Sequence, residues 1–246
     1  MASKPLLKAL ADAGVASRRR LADAIREGRV QVNGQLVEDF RHPVDPARDI
    51  VSIDGRTCRL DAERMVYLLL HKPKGVLSTT SDERGRQTVI DLVPAKYGHL
   101  RLHLIGRLDK DSTGLLLLTN DGELTHRFTH PRFEHEKEYR VTINSALRPT
   151  DKRRLEKGIE LDDGITWPAR VMVVNEQSFT YAVTIHEGRK RQVRRMFEHL
   201  GYRVKALKRV RMGSLRLGNL PEGQARELTA RELRQLKREG AGPAPS

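Results

Sequence analysis

Apolar positions in the first fifty residues keep helical spacing, then switch to strand alternation. Leu6, Leu7, Leu10 and Ala11 share one face of a helix over residues 4–13 that Gly14 closes. Ser17 can cap a second helix over 18–27, with Leu21, Ala24 and Ile25 inward and Gly28 at its end. Val30-Gln31-Val32, Asn33-Gly34 and Leu36-Val37 then make a strong hairpin signal. A further strand over 49–53 turns at Asp54-Gly55. The pattern predicts a compact helix-helix-hairpin module over residues 1–60, followed by a polar linker at 61–64.

From Met65 onwards, strand-length apolar runs recur at 65–70, 76–80, 102–105, 115–119, 138–143, 169–174 and 179–185. Helical spacing appears at 123–128, 150–157, 190–200 and 230–239, the last opened by a capping box of Thr229 with Glu232. Strands and helices do not alternate regularly, which argues against a doubly wound parallel sheet. The expected fold is α+β, with a mixed, mostly antiparallel sheet carrying packed helices over 65–239. The Gly/Pro/Ala tail at 240–246 reads as disordered.

Composition narrows the function. The chain's 246 residues suffice for a buried core without metals or disulfides. A single cysteine, Cys58, excludes a disulfide framework and a cysteine-based zinc finger, and fits a reducing cytoplasm. No apolar run approaches signal-peptide length or the ~20 residues of a membrane span, so a cytoplasmic protein without a membrane partner is expected. Forty-six Lys and Arg against 32 Asp and Glu leave a net charge of +14, which points to a polyanion. Between Arg189 and Arg216 stand eleven Lys or Arg and one acid, Glu198, so +10 of that charge lies in one ninth of the chain. This stripe, with Arg189, Lys190, Arg191, Arg195, Lys208 and Arg209, reads as a nucleic-acid contact surface. Arg18, Arg19 and Arg20 sit in a helix's first turn, where the helix dipole disfavours cations; such a conflict suggests binding. With only 4% aromatic residues, the chain lacks the stacking platforms of sheet-type RNA readers.

Several catalytic motifs are absent. No phosphate-binding glycine loop, His-Glu-x-x-His helix or Gly-x-Ser-x-Gly elbow occurs. What remains is a polar loop between two apolar strands that presents Arg107, Asp109, Asp111 and Ser112. From residue type alone, Asp109 and Asp111 fit an Asx-type turn, a metal-binding pair or a catalytic site.

Gly106-Arg-Leu-Asp109-x-x-Ser112-x-Gly114-Leu-Leu-Leu-Leu-Thr-Asn-Asp-Gly122 resembles the signature loop of the ribosomal RNA pseudouridine synthases. Leu70-His-Lys-Pro-Lys-Gly75, Glu136-Lys-Glu-Tyr139 and Ile185-His-Glu-Gly-Arg-Lys-Arg-Gln-Val-Arg-Arg-Met196 follow the same family in order. Ala13-Gly-Val-Ala-Ser-Arg-Arg19 and Gly28-Arg-Val-x-Val-Asn-Gly34 resemble the S-four-type RNA-binding module of many members. Together the similarity spans residues 4–236.

The resemblance implies that Asp109 is the catalytic carboxylate, Tyr139 the aromatic residue against the target base, and Arg194 the basic partner of Asp109. It further implies that Arg107 helps to hold a flipped-out nucleotide and that Leu207 lines an apolar pocket. These residue types suit the chemistry. A carboxylate can attack or stabilise a sugar carbon as a glycosidic bond breaks, and a nearby arginine keeps it ionised. No redox or group transfer is involved, so neither cofactor nor metal is expected. The expected enzyme is a monomer that isomerises uridine in ribosomal RNA, free or in an assembly intermediate. The Tyr139 strand and the 188–196 helix start are most similar to large-subunit (23S) members. Alternatives are the same reaction on small-subunit (16S) RNA and a non-catalytic RNA-binding or ribosome-assembly factor.

Overall fold

The computed structural model describes residues 3–61, 64–130 and 135–240. Residues 241–246 of the expected tail, 240–246, and two linker residues, 62 and 63, lie outside the described residues, and Gly240 instead ends the last helix. The chain divides at Val66 into two compact units, with Asn120–Gly122 belonging to the first.

In the first unit, β1 (Lys4–Pro5) leads into α1 (Leu6–Asp12) and α2 (Arg18–Arg26). Then come β2 (Val30–Val32), β3 (Gln35–Leu36), β4 (Pro43–Val44), β5 (Val51–Ile53) and β6 (Arg56–Cys58). Ser17 caps α2 as its spacing predicts, its Oγ accepting the Arg20 backbone N–H at 3.0 Å. β2 and β3 close through Asn33 (φ 51°) and Gly34 (φ 78°), the two left-handed residues that a tight hairpin needs. Four strands pair in the order β3-β2-β5-β6. Leu6, Leu10, Leu21, Ile25, Val30 and Val51 form the core beneath them. This places Arg18, Arg19 and Arg20 outward, all three exposed.

The second unit holds β7 (Tyr67–Lys72), β8 (His103–Ile105), β9 (Thr113–Thr119), α3 (Gly122–Thr129), β10 (Lys137–Ile143) and α4 (Pro149–Lys157). It continues with β11 (Glu160–Leu161), β12 (Gly164–Ile165), β13 (Arg170–Asn175), β14 (Thr180–Ile185) and α5 (Gln192–His199). It ends with β15 (Val204–Met212), β16 (Leu215–Arg216), β17 (Ala225–Glu227) and α6 (Ala230–Gly240). The sheet runs β13-β14-β10-β15-β9-β7-β17, with β8 beside β9 and β16 beside β15. Every pairing in it is antiparallel except β9 with β15, so the expected mixed, mostly antiparallel α+β sheet is what forms. α5 buries Val193, Met196 and Phe197 against this sheet. The capping box of α6 closes both ways: Glu232 accepts the Thr229 N–H at 2.8 Å, and Thr229 Oγ1 accepts the Glu232 N–H at 3.2 Å. None of the described helices is long and apolar enough to cross a membrane.

Two strand expectations need correction. Residues 76–80 do not form a strand. Only a bridge between Leu77 and Thr88 forms, because Ser78 Oγ bonds the carbonyl of Leu108 at 2.8 Å and accepts its N–H at 3.2 Å instead. Conversely, the longest strand, β15, lies in the stretch read chiefly as a charge stripe. It joins the two halves of the sheet, pairing with β10 on one side and β9 on the other.

The β9–β15 contact fixes one glycine. Gly114 has φ 111°, and a Cβ there would stand 2.2 Å from the Arg209 carbonyl oxygen and 2.6 Å from its nitrogen. Gly114→Ala is therefore expected to cost about 3 kcal/mol or more, combining backbone strain with overlap against a strand. Its thermal unfolding midpoint should fall by several degrees. An unchanged midpoint would mean that the two strands do not meet at this point.

Candidate active site

Residues 106–112 connect β8 to β9, and their backbone is tied from several directions. Lys72, at the end of the wholly buried β7, donates to the carbonyls of Pro73 and Ser112, both at 2.9 Å. The Gly75 N–H reaches the Lys110 carbonyl at 2.8 Å, and the Ser112 N–H reaches that of Asp109 at 3.1 Å. Ser78 holds Leu108 as described. Burying an ammonium is costly unless its hydrogens are satisfied, so Lys72 and these carbonyls require each other.

The two acids of this loop have different fates. Asp111 is engaged. Its carboxylate meets Arg191 Nη1 at 3.1 Å and Arg194 Nη2 at 3.3 Å, and its carbonyl accepts from Arg194 at 3.1 Å. Burial works against ionisation of Asp111, but the two guanidinium groups outweigh it and hold the carboxyl below its ordinary range. Asp109 is half-buried, and among the described residues no side chain hydrogen-bonds or ion-pairs with its carboxylate. The expected pairing of Arg194 with Asp109 is therefore corrected to Arg194 with Asp111. Arg194 reaches the nearer neighbour because α5 buries it, with its Nη1 on the Val204 carbonyl at 3.3 Å.

Asp109 opens into a cleft of about 1580 Å³ that also takes in Arg107, Lys137, Tyr139, Leu207 and Arg209. Register places these together: on β10 and β15, Tyr139 faces Arg209 and Val141 faces Leu207. Tyr139 and Leu207 are buried apart from their cleft faces, 8% and 6% exposed. Arg107 and Lys190 line the same cleft from exposed positions and have no ion-pair partner among the described residues. Lys208 is half-buried beside Thr113, also without an ion pair.

Three stripe arginines are committed elsewhere. Arg189 bonds Glu187 at 2.9 Å and the carbonyls of Gly164 and Ile165 at 2.7 and 2.6 Å. Arg195 pairs with Asp163 at 2.7 Å. Arg209, read as a surface cation, is 1% exposed; its Nε donates to the Leu115 carbonyl at 2.8 Å and its Nη2 lies buried without a partner. Apart from Glu187, the acids and carbonyls that absorb this charge are distant in the chain, which linear spacing cannot show. Lys72, buried, and Lys137, half-buried, have no role assigned from the sequence. Both stand in stretches that follow the family, Leu70–Gly75 and Glu136–Tyr139, and Lys72 also continues an apolar strand. Among the described residues, no three His, Cys, Asp or Glu side chains gather as a metal site.

Residues 66–199 match the family described as RNA pseudouridylate synthase, and residues 4–50 match the S4 domain. The chain belongs to the RNA pseudouridylate synthase family. It is 42% identical to ribosomal large subunit pseudouridine synthase B of Bacillus subtilis, over 94% of this chain and 95% of that one. The protein of the same name from Vibrio cholerae is 39% identical over 96% of this chain and 74% of its own. A crystal structure of a pseudouridylate synthase matches with a TM-score of 0.68 at 32% identity, covering 95% of this chain and all of that one. In this synthase, as in the expectation from its motifs, the signature loop lies inside the matched catalytic region. The front module carries the S4 match.

The buried cations give a pH dependence. Burial lowers the Lys72 and Lys137 ammonium groups to about 8, whereas the unfolded chain titrates them near an ordinary lysine value of about 10.4. Between those values the unfolded chain holds protons that the folded chain has lost, so stability rises with pH. The unfolding midpoint should climb from about pH 8 to pH 10, and Lys137→Met should remove part of the climb. The same climb in that variant would contradict the desolvation of the Lys137 ammonium.

Proposed function

We propose that this synthase converts a specific uridine of large-subunit (23S) ribosomal RNA to pseudouridine, with Asp109 as its catalytic carboxylate. One observation carries the assignment of Asp109. Of two acids two residues apart, Asp111 is ion-paired with two arginines, while no described side chain bonds the Asp109 carboxylate in the cleft that holds Tyr139, where Lys72 acts on it only through space. The names of the Bacillus subtilis and Vibrio cholerae relatives support the large subunit as the source of substrate.

The reaction needs no external reagent. The bond from the ribose C1′ to N1 breaks with its electron pair leaving on the base, and Asp109 meets the positive charge that develops at C1′. The uracil turns, C5 bonds to C1′, the C5 proton leaves and N1 takes one up. Tyr139 supplies a flat face for the uracil and a phenol for proton movement, and Leu207 supplies an apolar wall. Arg194 and Arg191 act as positioning residues, through Asp111. A uridine must leave its stack to enter the cleft. Arg107, Lys190 and Lys208 then hold phosphates nearby, and the front module, residues 1–60 with Arg18, Arg19 and Arg20, grips further along the backbone. The enzyme works as a monomer in the cytoplasm, on free RNA or on an assembly intermediate.

The test is incubation of the purified protein with unmodified 23S and 16S transcripts, locating pseudouridine by carbodiimide-dependent reverse-transcription stops. A new stop in 23S RNA is expected. A stop in 16S RNA alone would overturn the substrate. Asp109→Asn should lower turnover by at least about 10³-fold while RNA affinity stays within a few-fold. Substantial residual turnover would remove Asp109 from the chemistry.

A further inference from the structure

Trp167 is the chain's only tryptophan, and it is 56% exposed on the rim of the cleft that holds Asp109 and Tyr139. A side chain this large and apolar is normally buried, and an exposed one on a functional rim calls for a partner. The backbone of this residue is also tied down. Its own N–H donates to Glu187 at 2.9 Å, and Glu187 is in turn fixed by Arg189 and Gln192. The preceding residue, Thr166, is buried and tied twice to Ile159, its N–H at 2.8 Å and its Oγ1 at 2.9 Å. Pro168 follows and restricts the Trp167 backbone. Arg189 straps the 164–165 backbone to the same rim. The ring contacts His186 edge-on, with centroids 5.3 Å apart and planes at 63°, a T-shaped contact that does not stack the two rings.

We propose that Trp167 is a stacking platform for an unpaired base next to the target uridine, outside the catalytic pocket. This rests on the RNA-modifying reading of the cleft. A pre-oriented, flat and half-solvated indole matches a nucleobase face, and stacking takes any base without needing a hydrogen-bond code. The exposed cation Lys190 lines the same cleft, where it can meet the phosphate of that nucleotide. The platform gives the enzyme a grip on single-stranded sequence beside its target, a contact that the Asp109 pocket, taking one uracil, cannot provide. Aromatic scarcity in the sequence concealed it, because one ring suffices here.

Being the sole tryptophan, Trp167 reports on itself. Titrating the full chain with unmodified 23S or 16S transcript should quench its emission at saturation and protect it from iodide. Trp167→Ala should raise KM for the modified transcript about tenfold, the scale of one lost base stack, with kcat within about twofold. Trp167→Phe should restore most of the loss, and Trp167→Leu should not. Unaltered emission on binding, or an unaltered KM in Trp167→Ala, would overturn the platform while pseudouridine formation in the native protein keeps the enzymatic reading. A fall in kcat at constant KM would likewise overturn it, placing the ring at the reacting base. Absence of pseudouridine in both transcripts tells against the enzymatic reading instead, and emission quenching then still supports stacking on RNA.

Discussion

A buried ammonium group organises the catalytic loop. Lys72 ends a strand with no exposed residue; its ammonium donates to main-chain carbonyls of two loops, at Pro73 and Ser112, and the carboxylates of Asp111, Asp109 and Glu222 support its charge from further off. A lysine in that position cannot be relieved by water, so the loops close around it. Ser78 on Leu108 and Gly75 on Lys110 complete the fixation. With its backbone held, the loop cannot let both acids fold onto the nearest arginines. Asp111 falls within reach of Arg191 and Arg194, and Asp109 is left facing open space. Freedom of one carboxylate thus follows from restraint everywhere around it. Preorganisation of that kind is what a site needs to meet charge that develops only during reaction.

The net charge of +14 is redistributed by the fold. In the chain, the segment 189–216 has almost no acids of its own; in the structure, acids arrive from 26 to 83 residues away. Asp163 takes Arg195 and part of Arg189, Asp111 takes Arg191 and Arg194, and Glu136 with Glu138 takes Arg211 at 2.9 and 3.2 Å. Arg191 even adopts a left-handed backbone (φ 50°) ahead of α5, a strain of about 1 kcal/mol that its ion pair with Asp111 accompanies. Cations that look like one RNA-binding surface therefore split into struts and grips. Lys190, Lys208 and Arg107 have no ion pair among the described residues, while Arg189 and Arg209 line the cleft and Arg195 holds Asp163.

Much of this was legible beforehand because it rests on local pattern. The Ser17 and Thr229 caps, the Asn33-Gly34 hairpin, the buried stripe of α5 and the α+β sheet all follow from spacing and side-chain chemistry. The family followed from four motifs in order. What spacing could not show is tertiary. β15 was hidden because Lys205, Lys208, Arg209 and Arg211 break its apolar alternation, and Arg209 is buried only because two strands enclose it. The 76–80 run looked like a strand, but Ser78 gave its hydroxyl to Leu108 instead. Which acid Arg194 meets depends on where α5 packs against the loop, and a motif that spaces Asp109 and Asp111 two residues apart does not choose between them.

In the proposed reaction the loop presents Asp109, and not Asp111, to the nucleotide. A crystal structure of the Asp109→Asn variant bound to its RNA substrate tests it most directly. The expected complex holds a uridine out of its stack against Tyr139, with the residue 109 side chain nearest its C1′ and Asp111 still on Arg191 and Arg194. A uridine approached by Asp111, or a residue 109 side chain turned onto one of the protein's own cations, would contradict it.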